Sequence, residues 1–199
     1  MQRDPYFHPH LILGLWCAWA LYWCITALRT KTTVRRESSG SRLAYVVPGI
    51  AGGVLLGWPL RAGWLAARLW PRSLTAYWIG LALLCAGLAF AAWARRELGR
   101  NWSGAVTVKE GHELIRSGPY ALVRHPIYTG LITALAGTAV TIGALHALLG
   151  VAIVVSALLG KLRTEEVFMR EAFPAEYPRY AAQVPALLPF TKPRRSAPR

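Results

Sequence analysis

Residues 127–160, IYTGLITALAGTAVTIGALHALLGVAIVVSALLG, hold no Asp, Glu, Lys or Arg. A helix that crosses a bilayer needs about 17 to 25 mostly apolar residues, so this stretch is too long for one crossing and just long enough for a tight hairpin. Gly143 and His146 lie near its middle, where the turn is expected. Three further apolar runs, Leu11–Leu28, Leu43–Leu60 and Leu74–Ala94, are each long enough for one span. The expected fold is an all-α polytopic membrane bundle of five spans, the last two short, with a polar cap on one side.

Composition agrees. Hydrophobic residues make up 54% of the chain and charged residues 16%, with a mean hydropathy of +0.32, which is not a soluble mixture. Cys17, Cys24 and Cys85 all lie in apolar runs without C-x-x-C spacing, so neither a disulfide framework nor a metal site is indicated. The run from Leu11 is long for a signal-peptide core and has no A-x-A site after it, so it reads as a retained span.

The net charge of +14 would suggest nucleic acid in a soluble protein. Here the basic residues cluster just beyond the apolar runs, the pattern of cytosolic loops, so anionic membrane lipids are the expected partner and nucleic acid is not. Arg29, Lys31, Arg35, Arg36 and Arg42 follow the first run, Arg95, Arg96 and Arg100 the third, and Lys161 and Arg163 the last. Those regions are predicted to be cytosolic, with the N-terminus outside. Arg61, Arg68 and Arg72 fall on the other side, where a short Trp-rich interfacial helix would hold them at the head groups. Gly49, Gly53 and Gly57 form two overlapping G-x-x-x-G units on one helical face, fit for close packing within the bundle or for a dimer.

Two polar stretches remain, Arg95–Pro126 and Lys161–Arg199. If the apolar stretch is a hairpin, its two ends return to one face, and RHPIY (124–128) becomes a neighbour of KLRTEE (161–166). That gathers Asn101, His112, Glu113, Tyr120, Arg124, His125, Tyr128, Lys161, Arg163, Glu165 and Glu166 at one mouth. Singly, each has a plain reading: a snorkelling arginine, a proline at a helix start, aromatic-belt tyrosines, or helix-spaced ion pairs. Their coincidence is what suggests a site. His112-Glu113 does not make the H-E-x-x-H of a zinc protease, because position 116 is Arg116, and His8-Pro9-His10 lacks partner ligands; no metal is expected.

The segment GHELIRSGPYALVRHPIYTG, the apolar hairpin, the acidic pair and FPAEYPRYAAQVPALLPF, in that order, resemble the isoprenylcysteine carboxyl methyltransferase family and its relatives among phospholipid methyltransferases, over about residues 100–190. The resemblance implies a membrane enzyme that moves a methyl group from S-adenosyl-L-methionine to a lipophilic acceptor arriving from the bilayer. It implies a cofactor site of His112, Glu113, Leu114, Ile115, Tyr120, His125, Pro126, Ile127, Tyr128 and Glu165, with Arg124, Lys161 and Arg163 nearer the acceptor. Around that match the chain divides into an N-terminal three-span region (1–94), a catalytic region (95–190) and, from the composition of TKPRRSAPR, a disordered basic tail (191–199). Where the family usually has arginine four residues before the acidic pair, this chain has Lys161, which keeps the charge without the bidentate fork.

A carboxylate acceptor of prenylcysteine type needs no general base. The alternative, an amine head group, must first lose a proton, so His125 or Glu166 would become essential. A sterol reductase is normally much longer, and a non-enzymatic membrane protein would not need this ordered set. The Ala- and Arg-rich composition points to a bacterial inner membrane, with the site facing the cytosol.

Overall fold

The computed structural model describes residues 9–28, 33–58, 60, 63–102, 107–109 and 113–191. Five long helices, α1 (Pro9–Ala27), α2 (Ser39–Gly57), α3 (Leu74–Leu98), α4 (Pro126–Ile142) and α5 (Leu145–Ala172), precede a short α6 (Glu176–Gln183). α1, α2, α3 and α5 are long and apolar enough to cross a membrane, and α4 is a shorter apolar helix. The residues expected as a basic tail, from 192 onward, and His112 lie outside the described residues.

The helix ends follow from local chemistry. The hydroxyls of Ser38 and Ser73 accept from the backbone N–H groups of Ser41 (3.2 Å) and Ala76 (3.1 Å), satisfying donors that every helix start leaves open. α4 opens on Pro126, whose missing N–H costs nothing in a first turn, and closes on Gly143 in the left-handed conformation, φ 66°. A Cβ at 143 would meet Trp70 Nε1 at 2.7 Å, so the hairpin turn needs glycine for space as well as conformation.

The hairpin forms as expected, but its second arm is not short. At 1.5 Å per residue α5 is about 42 Å long, against roughly 30 Å of hydrocarbon. Nothing in KLRTEEVFMREA breaks a helix, so α5 runs on past the apolar stretch and stops only before Pro174. The acidic pair therefore rides on a continuous helix.

α3 packs along α4, α2 along α5, and α1 rests on α3. Small residues allow the close contacts. A Cβ on Gly80 or Gly137 would stand 2.5 Å from the other's carbonyl oxygen, and the same holds for Gly87 and Gly130 between α3 and α4. Gly52 and Gly150 do this between α2 and α5, at 2.7 Å. Of the two roles expected for Gly49, Gly53 and Gly57, close packing within the bundle is not seen: among the described residues a Cβ there would have nothing within 4 Å, and the helix instead turns Gly52 inward against Gly150. Gly137→Leu should therefore destabilise the protein by about 1–3 kcal/mol through overpacking, seen as a lower melting temperature in detergent, while Gly49→Leu leaves it unchanged. Equal effects would show that this contact does not carry stability.

Tyr77, Leu81, Leu84, Leu88 and Ala134 make one core cluster, and Leu56, Leu135, Ala139 and Ala147 a second. Trp16 of α1 touches both, and its indole N–H donates to Thr138 Oγ1 at 3.1 Å. Leu13, Leu21, Val47 and Ile50 are more than half exposed, as lipid-facing side chains would be.

At the end of the bundle opposite the site, the expected Trp-rich element is a single 3₁₀ turn, Trp64–Ala66, not an α-helix. It docks on the hairpin turn: Leu69 N–H donates to Gly143 O and Leu145 N–H to Ala67 O, both at 2.9 Å, and Trp70 Nε1 donates to Val140 O at 3.0 Å. One feature was not anticipated. The basic connector after α1 pairs antiparallel with the segment after α3, as β1 (Thr33–Arg36) and β2 (Thr107–Lys109). β2 also contacts α5.

Candidate active site at the mouth of the hairpin

The site is built by the chain folding back on the start of α4. Gly118–Ala121 form a 3₁₀ turn that buries Pro119 and Tyr120. The C-terminal segment then pairs with the RHP stretch: Arg124 N–H donates to Pro185 O (2.8 Å), His125 N–H to Ala186 O (3.0 Å), and Thr129 Oγ1 to Leu187 O (2.7 Å). Tyr177 and Tyr180, three apart on α6 and both buried, face the same way, and the Tyr180 hydroxyl donates to Tyr120 O at 2.6 Å. This explains why the tyrosines and the V-P of the tail belong to one motif.

Six titratable side chains, Arg124, His125, Lys161, Glu165, Glu166 and Arg170, lock the mouth. Arg124 is committed to structure: Nε and Nη2 donate to Glu166 Oε1, and Nη1 donates to Ala181 O (3.1 Å) and Val184 O (2.6 Å). Arg170, one turn after Glu166, pairs with its other oxygen at 3.1 Å. His125 sits between the carboxylates, Nδ1 3.6 Å from Glu165 Oε2 and Nε2 3.5 Å from Glu166 Oε1, its ring stacked parallel to Tyr128. The Tyr128 hydroxyl donates to Glu165 Oε1 at 2.5 Å, and Lys161 Nζ lies 3.9 Å from the same oxygen.

Burial works against a charged His125, but the two carboxylates outweigh it and hold the imidazole above its ordinary value. Burial also pushes the Tyr180 hydroxyl up to about 12 and Tyr120 higher still, so both remain donors at neutral pH. A histidine raised on folding adds stability that is complete below about 6.5, its unfolded value, and is lost as pH rises through the folded-state value. The melting temperature should therefore fall as pH rises above about 6.5 in the wild type, and that slope should flatten in His125→Gln. An unchanged slope would mean that His125 is neutral in the folded protein.

Between these groups lies a cavity of about 330 Å³, within the range of small-molecule sites. From the segment before α4, Glu113, Leu114, Ile115 and Tyr120 line it. The start of α4 contributes Arg124, His125, Pro126, Ile127 and Tyr128, and α5 contributes Lys161 and Glu165. Arg163 is the exception: it points outward, exposed, and does not line the cavity, because α5 is continuous and position 163 lies about 200° around it from 161.

Other lining residues were not anticipated. Trp19 and Trp23 come from α1, and Trp102 follows α3. The Trp19 and Trp23 rings stack at 4.7 Å, and Trp23 meets Trp102 edge-on at 5.2 Å. The buried Arg95 guanidinium braces this corner, 4.5 Å above Trp102, donating to Thr26 O (2.6 Å) and Gly99 O (2.7 Å). No local signal marks Trp19 or Trp23 as anything but span tryptophans.

Among the described residues, Trp19 Nε1, Asn101 Oδ1, His125 Nε2 and Tyr177 Oη are buried without a well-formed hydrogen bond, and all four residues line the cavity. A buried polar atom left unpaired is costly, so the wall suits a polar ligand. Its aromatic faces and carboxylates suit one bearing positive charge. Those are the needs of a small organic ligand that carries both polar groups and a positive charge.

Comparison with known proteins places this architecture. The profile of the isoprenylcysteine carboxyl methyltransferase family matches residues 78–171, from early α3 to the end of α5. Probable protein-S-isoprenylcysteine O-methyltransferase of Oryza sativa subsp. indica is 31% identical over 131 residues, which cover 62% of this chain and 68% of that protein. Cobalt-zinc-cadmium resistance protein CzcN of Cupriavidus metallidurans is 33% identical over 114 residues, 56% of this chain and 51% of that one. The solved structure of the eukaryotic intramembrane Ras methyltransferase ICMT superposes with a TM-score of 0.50 at 23% identity; the match covers 79% of this chain but 55% of that one. The matched residues hold the apolar hairpin, the RHPIY start of α4 and the acidic pair that close on the cavity, and the chain belongs to the isoprenylcysteine carboxyl methyltransferase family of integral membrane proteins.

Proposed function

We propose that the chain is an S-adenosylmethionine-dependent methyltransferase whose acceptor is a carboxylate on a lipophilic molecule of prenylcysteine type, drawn from the bilayer. The observation that carries this reading is the cavity wall, where Glu165, held by Tyr128 and Lys161, faces a lining rich in tryptophan and tyrosine. When bound, the cofactor supplies a methyl group already activated on sulfur, so transfer needs mainly an in-line approach. The chain supplies the rest. Glu165 and the aromatic faces hold the cationic groups, and Glu113, Leu114, Ile115 and Tyr120 complete the cofactor side. Lys161 orients the acceptor carboxylate, and Leu131, Leu158 and Trp19, deeper along their helices, accept its apolar tail.

A carboxylate acceptor is favoured over an amine by the partners of the two groups nearest the mouth. His125 lies between Glu165 and Glu166, which favour its protonated form, and Glu166 is engaged by Arg124 and Arg170, so both are poorly placed to take the proton an amine must lose. Arg42, Arg95, Arg96, Arg100 and Lys161 gather at the site's end of the bundle, which the positive-inside rule assigns to the cytosol. In a bacterial cell this would be the cytosolic face of the inner membrane.

The test is calorimetric titration of the detergent-purified protein with S-adenosylhomocysteine, followed by transfer of labelled methyl to N-acetyl-S-farnesylcysteine. Micromolar binding and base-labile label in the product are expected. Well-folded protein that binds no S-adenosylhomocysteine would overturn the assignment; binding without transfer would leave the cofactor in place and overturn the acceptor.

A further inference from the structure

Lys161 is held partly from behind, by Tyr45, which does not line the cavity. Its Nζ lies 5.3 Å from the centre of the Tyr45 ring on α2 and 5.8 Å from that of Tyr128 on α4, both close enough for a cation to feel the ring face. Glu165 Oε1, at 3.9 Å, is a third neighbour. The Tyr45 hydroxyl donates to Glu37 Oε1, and Glu37 Oε2 accepts from Ser41 Oγ at 3.1 Å. Glu37 is only 8% exposed. It stands directly after β1, whose partner strand β2 rests on α5.

The close crossing of Gly52 and Gly150 explains how α2 reaches the site. α2 and α5 run antiparallel, so Tyr45 lies about 10 Å and Lys161 about 16 Å from the crossing toward the same end of the bundle, and the long lysine side chain, leaning back toward the start of its own helix, brings Nζ to the Tyr45 ring. A lysine has a flexible four-carbon stem and no rigid fork, so its amine points usefully only if something holds it. Two ring faces and a carboxylate do so here, and the hydroxyl's bond to Glu37 keeps the Tyr45 ring from turning away.

We propose that Tyr45 and Glu37 are positioning residues that aim the Lys161 ammonium at the anionic end of the methyl acceptor, so that α2, outside the matched family region, sets how tightly the acceptor is held. This rests on the carboxylate acceptor proposed above. Tyr45→Ala removes the ring and its anchor, Tyr45→Phe removes only the anchor, and Glu37→Gln removes the charge behind it.

With N-acetyl-S-farnesylcysteine as the probe, Tyr45→Ala should raise the acceptor KM about tenfold, the effect of one partly desolvated cation–ring contact. Its kcat and its affinity for S-adenosylhomocysteine should stay close to wild type, and Tyr45→Phe and Glu37→Gln should lie between. An unchanged KM, or a parallel loss of S-adenosylhomocysteine affinity, overturns the proposal. If the wild type binds S-adenosylhomocysteine but does not methylate the probe, the acceptor assignment has failed, and the hold on Lys161 is read directly by its acetylation rate with acetic anhydride, followed by mass spectrometry. Labelling several-fold faster in Tyr45→Ala than in wild type supports the positioning role, and equal rates overturn it.

Discussion

Arg124→Ala should lower the melting temperature steeply and loosen the C-terminal segment, with activity falling as a consequence. The guanidinium spans three elements: it binds Glu166 on α5 and the Ala181 and Val184 carbonyls at the end of α6, from its own place before α4. Arg124 and Glu166 are 10% and 12% exposed, and removing one partner of a buried ion pair costs about 3–5 kcal/mol. For a chain of this length that corresponds to roughly 6–20 °C. Hydrogen exchange should rise in residues 176–191, which the Arg124 and His125 amides also tether. Arg124→Lys should recover little, because an ammonium cannot reach Glu166 and two carbonyls together. A normal melting temperature and quiet exchange with lost turnover would instead return Arg124 to the acceptor side, the role implied by resemblance alone.

Glu165→Gln should cost the largest loss of cofactor affinity. The amide oxygen can still accept from Tyr128, so the local fold survives, but the negative charge facing Lys161, His125 and the cavity is gone. A hydrogen bond to a charged group contributes about 1.5–3 kcal/mol, so S-adenosylhomocysteine should bind roughly 10- to 150-fold more weakly. Lys161→Ala should leave that affinity within a few-fold and reduce methyl transfer chiefly by raising the acceptor KM, because the amine holds the acceptor. If both substitutions weaken S-adenosylhomocysteine equally, the division between a cofactor side and an acceptor side of the cavity is wrong.

The hairpin and the meeting of RHPIY with KLRTEE were legible from residues 127–160, because a charge-free stretch of that length has few ways to lie in a bilayer, and two antiparallel spans must return their ends to one face. The eleven cavity-lining residues nominated along the chain follow from that geometry together with the family's motif. Contacts between distant segments were not legible. Gly49, Gly53 and Gly57 carry the periodicity of a packing face, yet Gly52 makes the contact, since which face turns inward depends on the partner helix, here Gly150. Arg163 and Lys161 look equivalent until the continuous α5 turns one outward. Arg124 looks like a snorkelling anchor until the tail supplies its carbonyls. Trp19, Trp23, Tyr45 and Glu37 carry no sign of function in their own segments, because each acquires its role only where α1 or α2 closes against the hairpin. Local patterning sets which helices form and where they end, whereas the identity of a neighbour across tens of residues is settled by packing, to which short-range periodicity is blind.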